Sequence, residues 1–300
     1  MTAFVAHAAA VAVGEDMALV AGTASRTASG ASRAARRPGT FTEIEFSGLP
    51  EPVGRYFAAA ITPGVPLDRS VHVDVRGTVR HRRWVPFRAR YELTRTFDFV
   101  GLGHAAELGV GVEQYVAGVA VQHVRLAGLV PLRRASGVQL SRSTAGRAAI
   151  GALVLPTALL PRFGARWAAE DDHLIRGELR VHGEPVVLRL RIDGGGRPLA
   201  AVVDRWGDPL RSGWCTRHTF GAVFTEQATF DGLTVPSAGR AGWFIDTERW
   251  RDGENIRFRV TASSPGRFDG WSDWRLRYPV ARHARSRSRP GAWSDGVGGP

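Results

Sequence analysis

Ser70-Val71-His72-Val73-Asp74-Val75-Arg76-Gly77-Thr78-Val79-Arg80 is the stretch from which the fold can be read. Val71, Val73 and Val75, with Val79 after the glycine, fall on one side of an extended chain. His72, Asp74 and Arg76 fall on the other. Successive side chains of a strand point to opposite faces, so this spacing predicts a strand with one face buried and one in water. Working outward, the same pattern predicts strands over Phe87–Phe97, Gly103–Val110 and Glu113–Leu126. It returns over Gly164–Glu170, Leu174–Val181, Val186–Ile192, Leu199–Trp206, Gly213–Thr225, Gly239–Thr247 and Asn255–Thr261. Asp193-Gly194-Gly195-Gly196 predicts a hairpin turn, because glycine reaches positive φ at little steric cost.

Two helical intervals interrupt the strands. Pro52 suits a first helical turn, and Val53, Tyr56, Phe57 and Ala60 share one face behind it. A second helix is expected over Gln139–Leu153, weakened by Gly146 and Gly151, followed by a short apolar turn or helix over Pro156–Pro161. Ten to twelve strands, one helix before them and one in the middle predict a mainly β (α+β) fold. In it a large antiparallel sheet, curved into a half-barrel, curls around helices in one domain over residues 46–280. No βαβ alternation and no internal repeat is evident.

Composition narrows the chemistry. The chain has 300 residues, 44 % of them apolar and 23 % charged, enough for a sizeable core. Its 40 basic residues are all arginine, against 28 acidic ones, for a net charge of +12. With no lysine, Schiff-base and P-loop chemistry are excluded. With one cysteine, Cys215, an internal disulfide and a multi-cysteine zinc site are excluded too. Such a basic chain invites a nucleic-acid reading. Yet Arg176, Arg180, Arg189 and Arg191 alternate with apolar residues, as on the solvated face of a sheet, and no specific nucleic-acid partner is expected.

The ends differ from the middle. Residues 1–45 are rich in Ala, Ser, Thr and Gly and read as a disordered extension, or as a start codon assigned too far upstream. Phe4–Val13 has the length of an export signal, but no basic residue precedes it and His7 interrupts it, so a cytoplasmic location is the expectation. Residues 281–300, with Arg282, Arg285, Arg287 and Arg289, read as a basic disordered tail that could touch nucleic acid or an anionic surface. No apolar stretch is long enough to span a bilayer; Ala148–Pro161, the nearest, reads as a core helix or interfacial segment.

Tests for catalytic and metal motifs return little. There is no Gly-x-Ser-x-Gly elbow, and Ser141 and Ser143 read as helix-capping residues. His72, His81, His104 and His123 fall on or beside strands without metal-ligand spacing, and no metal or cofactor is expected. Glu170-Asp171-Asp172-His173 reads as a solvated turn, and Cys215 as a structural thiol. The tryptophans say more. Trp84, Trp167, Trp206, Trp214 and Trp243 lie within or just before predicted strands, either as core or as the aromatic wall of an apolar ligand pocket.

These residues resemble the DUF6544 type of bacterial proteins of unknown function, from about Leu49 to Thr261. The likeness rests on Leu49-Pro50-Glu51-Pro52-Val53 with Arg55-Tyr56, on Gly77 before Trp84-Val85-Pro86-Phe87, on Tyr115 with Gly118, and on Gly128-Leu129-Val130-Pro131. Its sharpest piece is Pro156-Thr157-Ala158-Leu159-Leu160-Pro161, then Arg166-Trp167 and Asp171-Asp172. Asp204-Arg205, Trp214, Asp231-Gly232 with Pro236, and Gly242-Trp243 continue in the family's order. Gly151 and Val154 stand where the family pattern has an acidic residue and a tryptophan, so any polar role of that acid is absent here. The resemblance implies a curved antiparallel sheet with helices across its concave face, similar to lipoprotein-carrier folds, and implies no activity.

Three functions are therefore weighed. The leading expectation is non-enzymatic binding of a hydrophobic small molecule or lipid in the concavity of the sheet. An enzyme whose groups come from separate strands, among Glu113, Asp171 and Asp204 with Arg205, is the first alternative. Binding of an anionic surface or nucleic acid through the arginine tail is the second.

Overall fold

A computed structural model of the chain describes residues 39–266, apart from 68, 107 and 127–129. Six strands pair in succession: β1 (Ser70–Arg80), β2 (Trp84–Leu93), β3 (Phe99–Ala105), β4 (Gly109–Val116), β5 (Val119–Leu126) and β6 (Val130–Ser136). Seven more do the same: β7 (Arg166–Ala169), β8 (Leu174–Val181), β9 (Glu184–Ile192), β10 (Pro198–Gly207), β11 (Thr216–Phe230), β12 (Leu233–Trp243) and β13 (Glu254–Gly266). β1 lies antiparallel to β13, so the two meanders fuse into one thirteen-stranded sheet whose edges are β6 and β7.

That order explains the apolar middle of the chain. Residues 137–165 run between the two edges of the sheet, across the face that carries the core. They form α2 (Val138–Gly151) and then a series of 3₁₀ turns from Ala152 to Phe163. Ten of the fourteen residues of α2 are buried, so the helix shows little amphipathic stripe. It packs along β10 and also touches β5 and β6 on one side and β8 and β9 on the other. Because β5 and β9 stand far apart in the sheet, one helix can reach both only if the sheet curls around it.

The curl is fastened where turns meet. His182, between β8 and β9, lies 3.0 Å from Asp98, between β2 and β3. The other side of the fastening is Tyr115 of β4, whose ring meets the His182 ring edge-on at 5.2 Å. Asp98 also accepts the Ala117 backbone N–H at 2.8 Å. A first helix, α1 (Glu51–Ala60), buries Val53, Tyr56, Phe57 and Ala60, the face expected from their spacing. It lies beside the Asp193 turn, where Gly196 (φ +83°) is required: a Cβ there would fall 2.3 Å from the Arg55 carbonyl oxygen. Gly195 and Arg197 donate their backbone N–H groups to the Asp193 carboxylate in that turn.

Several boundaries differ from the expected ones. The strand expected over Gly103–Val110 is the end of β3, a turn and the start of β4. The long strand expected over Glu113–Leu126 is cut in two at Ala117-Gly118, both at positive φ (49° and 80°), and a left-handed alanine has no sequence signature. β6 was not expected at all: it is an edge strand with no buried residue, so it lacks the alternation that marks the others. Residues 39–45 are described together with the strands. Phe41 is fully buried in the core, and its backbone N–H donates to the Val65 carbonyl. Residues 1–38 and the tail over 281–300 lie outside the described residues. Among those described, no helix is long and apolar enough to cross a membrane.

Candidate functional site

The concave face holds two features beyond simple apolar packing. The first is a buried polar cluster beneath α2. Glu113 (β4), Arg147 (α2) and Arg205 (β10) are each 1 % exposed or less. One Glu113 oxygen accepts hydrogen bonds from Gln122 Nε2 at 2.8 Å and from the Arg147 guanidinium. Arg205 Nε donates to the Ser143 carbonyl at 2.9 Å. Its approach to the helix is close because residue 146 is glycine; a Cβ there would sit 3.3 Å from Arg205 Cγ. The glycine that weakens the helix in isolation thus permits its contact with the strand.

Two guanidiniums and one carboxylate leave this cluster with a net charge of +1 in an apolar interior. Aromatic faces take up part of that charge. Arg147 lies 4.4 Å from the Phe99 ring centroid, and Arg205 lies 4.5 Å from Phe220 and 4.7 Å from Trp243. Burial, reinforced by Arg147 and opposed by Glu113, pulls the Arg205 guanidinium down to about 9, still charged at neutral pH. Burial first and Glu113 second push the phenol of Tyr91 well above its ordinary range. Glu113 Oε2, Arg147 Nε and Arg205 Nη1 have no protein hydrogen-bond partner, nor do the hydroxyls of Ser143 and Thr144.

The second feature is a cleft of about 390 Å³ between the 3₁₀ segment and the hairpin of β8 and β9. Phe97, Ala158, Phe163, Leu179, Val186 and Val187 wall it, and Arg166, Glu178 and Arg180 stand exposed around it. The Pro156–Pro161 stretch supplies one wall, which it can do because Pro156, Thr157, Ala158 and Leu159 are themselves anchored in the core. Phe97 comes from the turn that Asp98 fastens to His182.

The five tryptophans are not gathered at one place. Trp243 is buried against Phe220 and Arg205 and covers Gly207 of β10. Trp167 packs over Gly177, touches Tyr56 and Phe57 of α1, and donates its indole N–H to the Leu159 carbonyl at 2.9 Å. Trp206 lies under the Arg142 guanidinium and hydrogen-bonds Gln139. Trp84 carries Arg257 on its face, and Trp214 is 78 % exposed. Trp167, through its bond to Leu159, is the one that braces the segment walling the cleft.

Other candidates are placed as follows. Of the four side chains considered for catalysis, Glu113 and Arg205 both belong to the buried cluster. Asp171 does not, since it sits in a turn accepting the His173 N–H, and Asp204 forms an ion pair with Arg189 at 3.6 Å. Ser141 does not cap α2, whose first flanking residue is Gly137; its hydroxyl accepts the Ala120 N–H of β5 at 3.0 Å. Ser143 lies inside the helix rather than at its start. Burial, then Asp208, raises the Cys215 thiol, the opposite of nucleophile activation. His72 lies beside Glu92, His81 and His104 are exposed, and burial, then Arg134 and Arg125, lowers His123. Among the described residues no three His, Cys, Asp or Glu side chains come together as metal ligands. Sequence reading missed Arg147, whose place in the middle of α2 gave no hint of a buried charge.

Comparison with known proteins adds the following. A putative outer membrane lipoprotein-sorting protein domain from Vibrio parahaemolyticus aligns over 75 % of this chain and 94 % of its own, at 11 % identity and a TM-score of 0.37. A DUF1329 family protein from Desulfovibrio piger aligns over 71 % and 91 %, at 13 % identity and a TM-score of 0.35. A LolA superfamily protein from Nitrosomonas europaea aligns over 68 % and 88 %, at 10 % identity and a TM-score of 0.37. No curated protein matches the sequence. The pattern of one family covers residues 39–253, nearly the whole described domain, and the chain belongs to that family, the family of unknown function DUF6544.

Proposed function

We propose that this protein binds, without chemically altering it, a hydrophobic ligand that carries an anionic end, with the apolar part in the 390 Å³ cleft. The observation that carries this reading is the cleft itself: aromatic and aliphatic walls beside the exposed cations Arg166 and Arg180. Its volume falls within the range of small-molecule sites, about 300–1,000 Å³. An acyl chain gains roughly 0.8 kcal/mol per buried methylene, so its apolar part alone can drive entry. A carboxylate or phosphate at the mouth would find guanidinium partners there. No convergent acid and base is needed for such a role.

The experiment is a titration of the purified full chain with dodecanoate, followed by melting temperature and by native mass spectrometry. Saturable one-to-one binding with a raised melting temperature is expected. Val187→Trp, which fills the cleft from a half-buried strand position, should weaken binding at least tenfold while leaving the fold intact. No bound fatty acid and an unchanged melting temperature in the unsubstituted protein would overturn the reading.

A further inference from the structure

Arginines face one another at several places on the outer side of the sheet, but most are held by carboxylates: Arg176 and Arg189, in register on β8 and β9, are paired with Glu178 and Asp204, and Arg240 and Arg257 share Glu254. Between β1 and β2, His72 faces Glu92 at 3.4 Å, and Asp74 faces Arg90 with bonds of 2.7 and 3.0 Å. The next outward pair is Arg76 facing Arg88. Like charges directly opposite one another destabilise a sheet, and neither arginine has an ion-pair or hydrogen-bond partner among the described residues. The row continues on both sides: Arg259 of β13 is opposite Arg76, and His104 of β3 is opposite Arg88. Four strands thus present Arg259, Arg76, Arg88 and His104 side by side.

The neighbours of the central pair are already committed. Arg259 is held through both guanidinium nitrogens by Glu226. In the next row Arg257 is held by Glu254 at 2.7 Å and lies over Trp84. Beside it, Thr78 and Pro86 are short, and a hollow of about 560 Å³ opens over these strands, lined by Arg76, Arg88, His104 and Arg257 as well. We propose that this hollow binds a phosphoryl group, clamped between Arg76 and Arg88 with His104 beside them. Guanidiniums carried by two directly opposite residues can both offer paired N–H donors to the oxygens of one tetrahedral anion. An anion between them also removes the repulsion that the empty pair carries. The site shares no lining residue with the cleft and does not depend on it.

The phosphoryl group can belong to a small soluble molecule or to a lipid headgroup, and two arms separate these. In the first, the full chain is titrated with inorganic pyrophosphate; in the second, it is floated with phosphatidylglycerol or phosphatidylcholine vesicles. Arg76→Gln/Arg88→Gln is expected to lose at least tenfold in whichever binding the parent shows. Arg191→Gln/Arg251→Gln, which removes the same charge elsewhere on the surface, should stay within twofold. Without ligand the Arg76→Gln/Arg88→Gln protein should melt no lower than the parent, since repulsion has been relieved. Pyrophosphate binding assigns a soluble phosphorylated ligand; flotation on phosphatidylglycerol alone assigns a headgroup. Binding in neither arm, or binding that both double variants reduce equally, overturns the proposal.

Discussion

Arg147, in the middle of α2, donates to the carboxylate of Glu113 on β4, and both side chains are almost fully withdrawn from solvent. This contact ties the edge-to-edge helix to one half of the sheet, while Arg205 ties it to the other through the Ser143 carbonyl. The helix thus holds the two halves around itself with polar bonds as well as packing. Such buried bonds specify one arrangement, because any shift leaves a charge without its partner.

Glu113→Gln should therefore be costly. It leaves two buried guanidiniums with no counter-charge, a loss of about 3–5 kcal/mol. Arg205→Met removes the excess charge instead and keeps most of the volume among Phe220 and Trp243, so it should cost far less or stabilise. Urea unfolding of the two variants, fitted with a common slope, makes the comparison. Equal losses would show that the charge balance of the cluster does not matter.

The buried phenols set the alkaline limit. Burial raises Tyr56 and Tyr91 far above their ordinary value, and burial with Glu184 and Asp98 pushes Tyr115 up to about 12. Above about pH 10 the unfolded chain releases these protons and the folded one does not, so stability falls with rising pH. Arg205 acts with the opposite sign from about pH 9, but it is one group against three. Tyr56 has no partner for its hydroxyl, so Tyr56→Phe should be neutral or stabilising at pH 7 and should flatten the alkaline limb. Melting curves between pH 7 and 11 provide the check.

The Asp193 turn discriminates between adjacent glycines. Gly196→Ala combines a left-handed backbone with a Cβ driven into the Arg55 carbonyl, and should cost about 1–3 kcal/mol or more. Gly195→Ala meets only a 3.3 Å contact with the Asp193 carboxylate and should stay within about 0.5 kcal/mol of the parent. Thermal denaturation of both resolves the difference.

Asp98→Ala should open the curl locally. It frees His182 and the Ala117 N–H, at a cost of about 1.5–3 kcal/mol for the lost charge-assisted bonds. Because Phe97 adjoins Asp98 and walls the cleft, faster amide exchange at Ala117 should be accompanied by weaker dodecanoate binding. Unchanged exchange would mean that the turn is held by packing alone.

What could be read from the sequence was the local part. Alternation in Ser70–Arg80 and its successors is set by the geometry of a single strand, so it announced a half-buried sheet without any knowledge of partners. The face of α1 was legible for the same reason, since Val53, Tyr56, Phe57 and Ala60 lie within three turns. The split at Ala117-Gly118 and the edge strand β6 were not, because one depends on a backbone conformation alanine does not advertise and the other buries nothing. The sites belong wholly to tertiary structure. Glu113, Arg147 and Arg205 meet only because the sheet curls, and Arg76 faces Arg88 only in the register that hairpin β1–β2 adopts. Charge counts showed an excess of arginine; strand pairing decides which of them lack a partner, because electrostatic neighbours are set by distance in space and not along the chain.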